Sequence, residues 1–135
     1  MPKQARTRPV TATQTRAYLS KAEEYAEAAT AELEAGRGIA ATSLAIHAAI
    51  NAGDAVCGAR LGQRAAGQDH DQVLILLGQA GPDGVALSKD LRRLLPLKTR
   101  TEYDPDNIAL STAAKAVDQA QRCVAVARRA VASVR

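Results

Sequence analysis

Apolar residues recur along this chain at steps of three and four. Over residues 13–35 the stripe is Leu19, Ala22, Ala26, Ala29 and Leu33, a spacing that places all five on one face of a helix. Gly36 and Gly38 follow as its stop. A second helix is predicted over 39–66 and is apolar nearly all round (Ile39, Leu44, Ile46, Ala48, Ala49, Ile50, Ala55, Val56, Leu61). Such a helix belongs at the centre of a fold. One polar stripe interrupts it: His47, Asn51 and Asp54 stand at i, i+4 and i+7 and share a face. A third helix is predicted from near His70 through the run Val73–Leu77, with Asp69 as N-cap and Gln72 completing a capping box. Gly78, Gly81, Pro82 and Gly84 predict a loop, 86–95 a short helix that Pro96 ends or bends, and 98–107 a polar connection. The last helix is predicted over 111–134, its stripe running Ala113, Val117, Ala120, Val124, Ala127, Val131 and Val134. Residues 1–12 have no apolar period and are expected to form a disordered basic tail before a single helical domain over 13–135.

Together these elements define an all-α protein, an up-and-down bundle of four to five helices. Its length of 135 residues suits one domain with its own core. Composition refines this picture. The chain has no Phe or Trp and only three Tyr, and alanine dominates its apolar residues. Alanine favours helix but fills space poorly, so the helices must approach closely or bury apolar surface against a second subunit.

The net charge of +4 is unevenly spread. Lys3, Arg6, Arg8 and Arg16 precede any acid; Glu23, Glu24, Glu27, Glu32 and Glu34 come next; Lys115, Arg122, Arg128, Arg129 and Arg135 face a lone Asp118 in the last helix. A basic leading segment attracts nucleic acid through counterion release, or else stays a solvated tail. Cys57 and Cys123 lie within helical patterns without zinc-ligand spacing and read as buried thiols of a reducing cytosol. No apolar leader is visible and no apolar run approaches ~18 residues, so a cytoplasmic location is expected, away from membranes. Glycine-rich nucleotide loops, HExxH and GxSxG are all missing from the sequence, and neither cofactor nor metal is expected.

Three strings, in order, carry a resemblance. They are the alanine-rich central helix with Asp54 in AGDAVC, the Arg-to-His loop RAAGQDH followed by an apolar helix, and KTRTEYDP ahead of the last helix. This arrangement resembles the HEPN superfamily, in particular its short stand-alone actinobacterial members, over residues 13–134. The resemblance implies a bundle of four or five helices that pairs into a homodimer and binds RNA, a nucleotide or a protein partner such as an antitoxin or a nucleotidyltransferase. It also implies an alternative, a metal-independent endoribonuclease of toxin type with an Arg-x(4–6)-His motif.

Arg64 and His70, with five residues between them, fit that motif. A His moves protons near neutral pH, and an Arg holds a phosphate and stabilises its charge. Arg64 as an end-of-helix cation and His70 as a first-turn residue is the alternative role. The His47, Asn51 and Asp54 stripe is the second candidate, either a pocket for a phosphate-bearing ligand or a hydrogen-bonded polar cluster in the core or a dimer interface. Lys98 or Arg100 is the expected answer to the Asp54 charge. Lys98, Arg100 and Tyr103, with Glu102, form a third set, in which Tyr103 either meets a ligand or packs the connection onto the bundle.

Overall fold

A computed structural model gives the fold of residues 6–67 and 70–134. Five helices and one two-stranded ribbon follow in the order β1 (Thr7–Pro9), α1 (Ala12–Glu34), α2 (Gly38–Leu61), β2 (Gln63–Ala65), α3 (His70–Leu77), α4 (Gly81–Tyr103) and α5 (Leu110–Ala132). The architecture is an all-α bundle, with the ribbon as its only sheet among the described residues.

Helix α2 is the axis. Helices α1 and α5 pack most extensively on it, α4 covers a further side, and α5 also touches both α1 and α4. Its length and mean hydropathy of 1.2 would suit a bilayer, but 61% of that apolar window is buried inside the bundle. Ala41, Ala45, Ala48, Ala49, Ala52 and Ala55 are all fully buried. Small side chains thus let the neighbouring helices come close. At Gly53 the approach is closest to α3 and α4: a Cβ there would lie 3.4–3.7 Å from Val73, Leu77 and Leu87.

The stripes foreseen for α1 and α5 face the core. Ala22, Ala26 and Ala29 are buried on α1, and Ala113, Val117, Ala120, Val124, Ala127 and Val131 on α5. Helix α1 starts on a full capping box: Thr11 Oγ1 accepts the Gln14 N–H at 3.1 Å, and Gln14 Oε1 accepts the Thr11 N–H at 3.0 Å.

Three helix boundaries differ clearly from expectation. Helix α2 stops at Leu61, not residue 66, because Gly62 takes a left-handed φ of 65° and donates its N–H back to Gly58 O. Helix α4 is more than twice the length expected. Pro82 falls in its first turn, where a missing N–H costs nothing, and Pro96 sits on an exposed side of the helix, where water can satisfy the freed carbonyl. Residues 98–103 therefore extend α4 and only 104–109 connect it to α5.

The segment foreseen as a disordered tail is ordered from residue 6. Strand β1 pairs antiparallel with β2, Thr7 opposite Ala65, Arg8 opposite Arg64 and Pro9 opposite Gln63. Val10 is buried and donates its N–H to Gly62 O at 2.9 Å. Arg6 extends the ladder by accepting the Ala66 N–H, while its own N–H is donated to Gln72 Oε1 at 2.8 Å. Residues 1–5 and the foreseen N-cap Asp69 lie outside the described residues.

Candidate functional site

The polar stripe of α2 faces the N-terminal half of α1. Two of its members are satisfied along their own helix. His47 donates its Nδ1–H to Ser43 O at 2.8 Å, since a carbonyl can only accept. Asn51 Nδ2 donates to His47 O at 2.8 Å. Asp54 differs. It is only 9% exposed, and burial lifts its carboxyl from 3.8 to about 6, against the pull of Arg64 first and Lys21 second.

Those two cations identify the neighbours of the stripe. Tyr18, Lys21 and Tyr25 stand at i, i+3 and i+7 on α1 and share one face. The Tyr25 ring meets the His47 imidazole with centroids 5.4 Å apart and planes tilted by 40°. Arg64, delivered by β2, lies with its guanidinium carbon 5.8 Å from the Tyr18 centroid and donates Nη1–H to Ala65 O at 3.1 Å. Gln14, Ala17, Tyr18 and Lys21 line a shallow recess of about 230 Å³ beside this contact. The composite face thus carries aromatic rings, two cations and one desolvated carboxylate.

His70 opens α3 and is half-buried. The Glu102 carboxyl on α4 is held below its usual value, first by its hydrogen bond to Lys98 and more weakly by the charges of His47 and His70. Arg64 is set against the Tyr18 ring and the Ala65 carbonyl, and His70 stands at the start of α3. Lys98 does not answer Asp54. Its Nζ pairs with Glu102 at 2.7 Å, one helical turn along α4. Arg100 is exposed and Tyr103 is 77% exposed at the end of α4, so Tyr103 does not pack a connection onto the bundle.

The sequence reading missed Tyr18, Lys21 and Tyr25. Their signal was present, the same three-and-four spacing as the α2 stripe, but it lay along the edge of the alanine stripe of α1, where Tyr18 and Tyr25 also pack against the core. Among the described residues, no group of three or more His, Cys, Asp or Glu is placed to hold a metal. Neither a protein-family model nor a curated protein matches this sequence. The functional reading therefore rests on the chemistry of the face.

Proposed function

We propose that this protein is a HEPN-like, homodimeric binding module of the cytoplasm and that its ligand is RNA. One observation carries the reading. Arg64 of β2 lies against Tyr18 of α1, Lys21 stands one turn along from Tyr18, and among the described residues no carboxylate is in ion-pair contact with either cation. Unstacked bases bind on aromatic and guanidinium planes, and phosphates bind at unpaired cations. Tyr18 and Arg64 offer the planes, and Arg64 and Lys21 offer the charge. The five-helix bundle agrees with the architecture that the resemblance implies. For the homodimer, an open groove of about 760 Å³ at the α1–α2 end carries Ile39, Ile108 and Leu110, of which Ile39 and Leu110 are exposed.

Binding ranks ahead of cleavage because Arg64 lies against the Tyr18 ring, an arrangement that serves stacking. The test is fluorescence anisotropy with a labelled single-stranded oligoribonucleotide across a salt series. Affinity is expected to fall as salt rises, and Tyr18→Ala and Arg64→Gln are each expected to weaken it. An affinity at background level in low salt removes RNA as the ligand.

A further inference from the structure

Arg8 and Arg64 stand directly opposite each other in the β1–β2 register. Directly opposed residues of an antiparallel pair leave the same face of the ribbon, with Cα atoms roughly 4.5–5.5 Å apart. Like charges so placed repel, and the ribbon gains nothing from them. Five other cations are ion-paired: Arg37 with Glu32, Arg60 with Asp83, Lys98 with Glu102, Arg122 with Asp90 and Arg128 with Glu23. Neither Arg8 nor Arg64 has such a partner among the described residues.

We infer that the Arg8–Arg64 pair is a terminal-phosphate site, taking the phosphate monoester at the 5′ end of a nucleotide chain. This rests on the RNA-binding reading and narrows it. Two guanidiniums bring a charge of +2 and two planar forks of N–H donors. A phosphate monoester carries about −1.5 to −2 near neutral pH, whereas an internal phosphodiester carries one charge and leaves one arginine uncompensated.

The position is built, not merely charged. Strand β1 is fixed at both ends, by Gln72 on the Arg6 N–H and by Val10, which is buried and bonded to Gly62. The Arg8 backbone is therefore in place before a ligand arrives, which limits the ordering cost of binding. Tyr18 lies against Arg64, so the first base can stack within one nucleotide of the phosphate. Tyr18 also lines a recess together with Gln14, Ala17 and Lys21.

The experiment compares one 3′-labelled single-stranded oligoribonucleotide bearing either a 5′-phosphate or a 5′-hydroxyl, by anisotropy against wild type, Arg8→Gln and Arg8→Lys. A nucleoside 5′-monophosphate is added as competitor in a further arm. Wild type is expected to prefer the phosphorylated end roughly tenfold or more. Arg8→Gln should erase the preference while leaving affinity for the hydroxyl end within about twofold, and Arg8→Lys should retain part of it. Arg8 is exposed, so a melting curve matching wild type is expected for both variants. Equal affinity of wild type for the two ends overturns the terminal-phosphate site and leaves RNA binding standing. If neither RNA binds but the monophosphate does, and Arg8→Gln abolishes that, the site stands and the ligand is a free nucleotide. Binding by none of the three ligands overturns both.

Discussion

Gly58 of α2 and Thr15 of α1 meet so closely that a Cβ at position 58 would overlap the Thr15 hydroxyl oxygen. The same Cβ would lie 3.2 Å from Val10 Cγ1. Here the β1–α1 corner locks onto the central helix. Thr15 is buried, and its Oγ1 is held in place by donating to Thr11 O at 3.0 Å, so it cannot swing away without losing that bond.

Gly58→Ala is therefore expected to destabilise the fold by about 1–3 kcal/mol, the usual cost of overpacking, despite the better helix propensity of alanine. Urea denaturation measures it. The double variant Gly58→Ala with Thr15→Ala is expected to recover part of the loss, giving a coupling energy beyond the sum of the single effects. A stabilised single variant would contradict the close packing.

How far these features were legible depends on their range along the chain. The stripes of α1 and α5 are local patterns, and the alanines that compose them are the ones buried. The Thr11–Gln14 capping box was equally local, but the helix start was placed two residues past its cap. The ribbon was not legible, because three-residue strands 56 positions apart leave no alternation to detect. It is long-range pairing that turns Arg8 from a tail residue into the neighbour of Arg64. The α2 stripe was visible from its spacing, while its partners depended on which face of α1 turned toward it. Lys98 was expected beside Asp54 on charge alone; once α4 continues past Pro96, its own Glu102 lies one turn away and claims it.

The Asp54 carboxyl makes stability depend on pH. Its folded value of about 6 lies above the ordinary 3.8, so between those values the folded state binds more protons than the unfolded state. Stability is then highest below pH 4, falls as pH rises toward 6, and levels off above it. A displacement of this size corresponds to roughly 2–3 kcal/mol. Asp54→Asn is expected to flatten this part of the profile and to raise stability at pH 7 relative to wild type. Lys21→Met removes one of the two cations that favour the carboxylate and should push the transition to higher pH. Denaturation midpoints at half-unit pH steps test both. An unchanged profile in Asp54→Asn would assign the dependence to another group.

Cys57 and Cys123 are both buried, and burial pushes each thiol up to about 12. Asp54, one turn from Cys57, adds to the lift there, and Asp90 does so at Cys123. Only the thiolate attacks, so both sulfurs are expected to resist a thiol reagent in the native protein at pH 8. Unfolding in guanidinium should release two reactive thiols per chain. Rapid native labelling of either would show that its helix opens on the timescale of the reagent.

The binding reading also makes a statement about catalysis. A general acid–base histidine has to reach the proton it moves, and its phosphate-holding arginine has to hold the same scissile group. Arg64 is engaged by the Tyr18 ring and the Ala65 carbonyl. Single-stranded RNA incubated with the wild-type protein and EDTA is accordingly expected to remain intact, with a product pattern identical to that of His70→Ala. The informative contrast is between the two lanes. Fragments made by wild type in the presence of EDTA and lost in His70→Ala would mean that Arg64 and His70 act together, and would move the protein to the endoribonuclease reading. Intact RNA in both, with binding that Tyr18→Ala weakens, keeps the face as one that holds its ligand without cutting it.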